Sequence, residues 1–321
     1  MLLALAALHG AAWLWTAERL RAGYEAWADA ARASGWAVRG GTPQLAGWPL
    51  AAELVIPAPA LAAGDALVPG GLAWTADRVR LRLSPLAPGS LAILPEGAQR
   101  LRLAALPELA ITARRLAALA PLSGEGATEL TGQAVRAAAA GGAVEVAALR
   151  AWLTPGDVRA ETDEIALPSA FAWPLGATIA AASAEMRVAG LPVAAPPDAT
   201  AAEQAARWRD SGGHVDVPSF ALRWGPLSVS GSGIGTLDTR LQPRAEASLR
   251  LEGWQAALGQ LVQGGAVTPG AALAARAALG LFARSAPGEP PGSASVPVLV
   301  QEGRLTVGGV PLLRVPALTW P

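Results

Sequence analysis

The stretch SVSGSGIGTLD, residues 228–238, sets three glycines at alternate positions: Gly231, Gly233 and Gly235, followed by Thr236. Such a run is the raw material of a phosphate-cradling loop, where a bare backbone lets N–H groups approach an anion. A dinucleotide loop needs G-x-G-x-x-G between a strand and a helix, and a Walker loop needs a terminal G-K-[ST]. Here the spacing is G-x-G-x-G, no lysine occurs in the chain, and the continuation TLDTRLQPRAEASLRLEGW reads as strand, turn, strand. The pattern therefore argues against nucleotide binding. It describes a sheet strand that sheds its side chains, as strands do at a bend, a bulge, or a close approach by another backbone or a ligand. Leu227, Val229, Gly231, Gly233 and Gly235 share one parity, so that face begins apolar and ends bare. Either an apolar groove or close packing of protein on this strand satisfies the pattern.

Other candidates for chemistry are few. GDVRAETDEIAL gathers Asp157, Glu161, Asp163 and Glu164, enough oxygen ligands for calcium, yet without the fixed spacing and glycine of an EF-hand loop. A solvated turn suits these residues better. The two histidines, His9 and His214, lie in an apolar run and in a loop, and make neither a Ser-His-Asp relay nor a two-histidine metal site easy to build. With no cysteine there is no disulfide, thiolate metal site or cysteine nucleophile. No catalytic, cofactor-binding or metal-binding set is assigned. Arginines and acids balance at 25 each, with no basic block, so nothing marks a nucleic-acid partner.

The elements that must position the glycine strand follow from hydrophobic periodicity. MLLALAALHGAAWLW carries no Asp, Glu, Lys or Arg. Fifteen helical residues reach roughly 22 Å, against about 30 Å of hydrocarbon in a bilayer. Arg19 and Arg21 follow the run, whereas a signal peptide would put positive charge before it. We read residues 1–35 as a membrane-anchor helix whose first residues lie upstream of this start, with Trp13 and Trp15 at the interface. Leu20, Tyr24, Trp27 and Ala31 continue it as an amphipathic stripe, and Gly35 is placed to stop it.

Past Gly35 the period changes from 3.6 to 2. In LAWTADRVRLRLSPL, Val79, Leu81 and Leu83 alternate with Arg78, Arg80 and Arg82. The arginine face suits a solvated strand surface, or a site for anionic lipid or polysaccharide. Short strands then recur between Gly and Pro, although their alanine content suits helices equally well. Helices are expected after Asp198 or Thr200, from Trp254, and after Thr268 with Pro269 at the first turn. The last two form an αα-hairpin over residues 254–284. A Pro/Gly/Ser connector occupies 285–297, and the proline- and alanine-rich stretch 189–204 suggests a division into β-rich halves, 36–190 and 191–321.

WLWTAERLRAGYEAWADAARASGW, GWPLAAEL, LAWTADRVRLRLSPLAP, RWGPLSVSGSGIGTLD, EGWQAALGQLVQGG and EGRLTVGGVPLLRVPAL occur in that order. Together they resemble the DUF2125 family, with looser fold-level similarity to the AsmA-like envelope proteins. The resemblance implies an inner-membrane helix with the bulk of the chain periplasmic, and it supplies no catalytic residue. The expected fold is α+β, mainly β: a long twisted antiparallel sheet, curled into a groove or half-barrel, with an N-terminal membrane helix and C-terminal covering helices. The expected function is non-enzymatic binding of lipid or another apolar envelope ligand, with the membrane as a partner. Scaffolding in an envelope complex is the alternative, and an envelope hydrolase is more distant. A deep apolar concavity favours binding, and a filled core favours scaffolding.

Overall fold

The computed structural model describes residues 1–64, 67–68, 70–103, 106–190, 199–283 and 292–320, with the backbone alone at 310–313. The chain is mainly β and forms two compact units, Met1–Ala140 and Gly141–Pro321. Residues 191–198, within the stretch where the sequence suggests a division, lie outside the described residues, as does most of the 285–297 connector.

The N-terminal unit holds helix α1 (Leu2–Ala33) and strands β1 (Ala37–Arg39), β2 (Gln44–Ala46), β3 (Ala52–Pro57), β4 (Ala60–Ala63), β5 (Leu72–Ser84), β6 (Ala87–Leu103), β7 (Leu109–Pro121) and β8 (Thr128–Ala139). Long strands β5 to β8 pair antiparallel in sequence order. The other edge of β5 is shared: β4 pairs its first residues and β3 its last. α1 ends as expected at Gly35, whose φ of +89° suits glycine, and Trp36 N–H donates to Ala31 O at 3.0 Å across it.

α1 is one continuous helix, but its docking stripe differs from the expected one. Ala17, Leu20 and Ala28 are buried and Tyr24 is half-buried, whereas Trp27 is largely exposed. Leu20 meets Leu54 and Ile56 of β3 and Val79 and Leu81 of β5 in the unit's core. Small alanines at 17 and 28 let the helix backbone approach the strands closely, which an alanine-blind count of large residues misses. The membrane-spanning character expected of α1 is not supported. Among the described residues no helix is long and apolar enough to cross a membrane. The physical reason is the charge that follows the short apolar run, with Glu18, Arg19 and Arg21 within two turns of Trp15.

The C-terminal unit is a meander of β9 (Gly142–Thr154), β10 (Asp157–Ala166), β11 (Thr178–Ala189), β12 (His214–Trp224), β13 (Leu227–Leu237), β14 (Pro243–Glu252), β15 (Ala294–Gln301), β16 (Arg304–Val307) and β17 (Val310–Arg314), each antiparallel to the next. Helix α2 (Ala201–Asp210) precedes β12, and α3 (Trp254–Gln263) and α4 (Pro269–Phe282) lie between β14 and β15. Thr200 and Glu203 close a capping box on α2, and Thr268 caps α4 with Pro269 at its start. Trp254 is buried with Ala294 and Val296, packed by Leu227, Leu258 and Phe282. The alanine-rich stretches of β8, β9 and β11 are strands throughout, because antiparallel pairing with a neighbouring strand overrides alanine's helical preference.

Candidate functional site

The glycine strand is β13, paired to β12 and β14 on its two edges. A Cβ at Gly231 would collide with Ser248 O and stand 3.0 Å from the Phe220 ring. At Gly233 it would stand 2.9 Å from the Ala247 Cβ and from Glu246 O. At Gly235 the nearest atoms are an ordinary 3.6 Å away. The space beside Gly231 and Gly233 thus belongs to β14 and Phe220. The αα-hairpin reaches the other end of the strand, where Leu227 packs in the Trp254 cluster, while Val229 is half-buried. Leu281 of α4 is 78 % exposed. Gly231→Ala is expected to cost about 1–3 kcal/mol through overpacking, and Gly235→Ala to be near neutral. Urea midpoints of the two variants check this; equal effects would mean that close approach is not what glycine provides here.

The remaining sequence candidates are dispersed. Asp157, Glu161, Asp163 and Glu164 lie on β10, where Arg159 bonds Glu161 at 2.6 Å and Thr154 Oγ1 donates to Asp157 at 3.4 Å. Among the described residues no three His, Cys, Asp or Glu side chains gather as a metal site. His214 Nδ1 donates to Gly212 O at 3.0 Å, a local turn contact. His9 Nε2 donates to Pro49 O at 2.9 Å, and Trp13 Nε1 to Ala51 O at 2.7 Å, with both rings beside Trp48. Trp13 therefore ties α1 to its own unit. Trp15 is exposed and carries the Arg19 guanidinium 5.2 Å above its ring.

The site that sequence reasoning missed lies beneath α1. A cavity of about 610 Å³ opens between the helix and the sheet of the N-terminal unit. Its floor is Val79, Leu81 and Leu83 of β5 with Leu91 and Ile93 of β6, and its roof is Leu20, Gly23, Tyr24 and Trp27 of α1. Trp74 also lines it although its parity differs from that of Val79. A bulge makes this possible: pairing shifts between Ala76 and Arg78, where Gly97 and Ala98 of β6 stand against Asp77 alone on β5. Ala98 N–H donates to the Asp77 carboxylate at 2.7 Å, and Gly97, at φ +80°, leaves that carboxylate room a Cβ would take. The bulge flips the alternation, so Trp74 and Val79 join one core cluster. Desolvation in the cavity wall pushes the Tyr24 phenol up, with the Arg32 charge opposing, so it stays a neutral hydrogen-bond donor well above neutral pH.

The opposite face of β5 is not a free basic surface. Arg80 bridges Glu53 of β3 at 3.2 Å and Glu96 of β6 at 3.1 Å, Arg82 lies 3.5 Å from Glu53, and Arg78 lies 3.6 Å from Glu96. These arginines clamp three strands together from behind the cavity, and the anion-binding reading of this face loses its charge.

A β-rich protein with an apolar cavity roofed by its N-terminal helix is the class that this fold and site define. The chain belongs to the DUF2125 family, described as "Uncharacterized protein conserved in bacteria", whose model matches residues 13–316. No curated protein and no solved structure matches the chain.

Proposed function

We propose that this protein is a non-enzymatic, membrane-attached binding protein for a lipid-like ligand, which it seats in the cavity beneath α1. The observation that carries the reading is the cavity: about 610 Å³ of unfilled space walled by aliphatic and aromatic side chains. That falls within the range of about 300–1,000 Å³ usual for small-molecule sites. A unit serving only as a scaffold gains stability by filling such space, because voids forfeit packing contacts. Attachment falls to the first half of α1, where Leu2, Leu3, Leu5 and Leu8 are exposed and suit the headgroup–acyl boundary of a bilayer. We place the chain at the inner membrane, with its β-rich units on the periplasmic side.

Titrating the full chain with the neutral apolar fluorophore N-phenyl-1-naphthylamine tests the reading. A saturable fluorescence increase at one site per chain is expected, together with lipid in organic extracts of protein purified from its bacterial host. Failure of both overturns binding. The scaffolding alternative then takes over, with Leu273 and Leu281, exposed on α4, as its contact surface.

A further inference from the structure

The cavity's charged lining is one-sided. Arg19 of α1 and Arg39 of β1 line it, and among the described residues no carboxylate does. Several other arginines of this unit are matched by acids: Arg21 with Glu18 at 3.4 Å, Arg32 with Asp29 at 2.8 Å, and those of the clamp behind β5. Among the described residues, neither Arg19 nor Arg39 has a carboxylate within ion-pair distance or a side-chain hydrogen bond. The Arg19 guanidinium carbon lies 5.2 Å from the centre of the Trp15 ring, a cation–π contact. Tyr24, whose side chain carries a hydroxyl donor, also lines the cavity. Guanidinium groups bind carboxylate and phosphate through two parallel hydrogen bonds, and do so most strongly where apolar walls exclude water.

Resting on the binding function proposed above, we infer that the ligand is a single-chain amphiphile with an anionic head, its chain on the Leu81 and Ile93 floor and its head between Arg19 and Arg39. Both arginines are exposed, so a neutral lipid would leave them hydrated and gain nothing from them, whereas an anionic head adds charge-assisted hydrogen bonds.

The test displaces N-phenyl-1-naphthylamine from the full chain with laurate or with 1-dodecanol at neutral pH. The two share a twelve-carbon chain and differ in the head. Laurate is expected to displace the probe at a concentration about tenfold lower, a preference of roughly 1.4 kcal/mol. The double variant Arg19→Gln/Arg39→Gln should bind the probe as the parent does and lose the preference. Probe binding by the variant also reports that its cavity is intact. Equal displacement by the two ligands, or a preference that survives in the variant, overturns the anionic head while leaving apolar binding in place. No probe binding by the parent overturns both readings. A single-chain phosphatidate that outcompetes laurate identifies phosphate as the preferred head and still supports the inference.

Discussion

Replacing Glu53 by alanine is expected to destabilise the N-terminal unit by about 2–3 kcal/mol, more than the loss of any other acid in that unit's described ion pairs. The Glu53 side chain is only 9 % exposed and takes both Arg80 and Arg82. Removing one member of a fully buried pair costs about 3–5 kcal/mol, because the surviving charge is stranded without water. Arg80 is 33 % exposed, so solvent reaches part of the stranded group and the cost falls below that range. Its Nε already lacks a hydrogen-bond partner, which leaves it little to fall back on. Glu96 is 36 % exposed, and Glu96→Ala should cost about 1 kcal/mol or less. Hydrogen exchange in peptides from β3 and β5 is the right readout, since a global melt of two units need not be two-state. Exchange there should quicken by roughly 30- to 150-fold in Glu53→Ala, at tenfold per 1.4 kcal/mol. Equal effects from Glu53 and Glu96 would show that burial does not decide the energetics of the clamp.

That clamp also explains what the sequence could and could not disclose. The alternation of Val79, Leu81 and Leu83 with the arginines is written in one strand, and it read correctly. So did the cap at Thr268 and the stop at Gly35, because each is a contest among neighbours in the chain, while of the two caps open for α2, Asp198 and Thr200, the structure takes Thr200. Glu53 is 27 residues from Arg80 and sits in a segment with no charge pattern of its own, so nothing local pairs them. The cavity is harder still. It needs α1 laid across β5, alanines at positions 17 and 28 to bring the helix close, and a bulge at Asp77 to turn Trp74 inward. Each of these is ordinary in sequence, and only their combination leaves space unfilled. The glycine run drew notice because its composition is unusual, yet two of its three bare positions are occupied by the neighbouring strand and Phe220. Compositional oddity marked a packing constraint, and the candidate site lies where composition is unremarked.

Gly23→Leu is expected to stabilise the protein and to abolish most ligand binding. Gly23 lies in the middle of α1 and lines the cavity, and a Cβ built on it meets no atom within 4 Å. Leucine at a helical glycine gains about 0.8 kcal/mol from propensity alone. Partial burial of the new side chain adds about 1 kcal/mol. The same side chain occupies volume that the ligand's hydrocarbon requires, and the affinity for N-phenyl-1-naphthylamine should fall at least about tenfold. Stability and binding then move in opposite directions, the pattern of a site kept open at the expense of packing. Gly280→Leu separates this from a general helix effect, because Gly280 is also helical and open but lies on α4 in the C-terminal unit. It should raise stability by a similar propensity increment and leave binding unchanged. If Gly23→Leu stabilises the chain while the probe binds as before, the ligand does not lie beneath α1. If the variant is destabilised, the space under the helix is smaller than a leucine, and a lipid chain has no room there either.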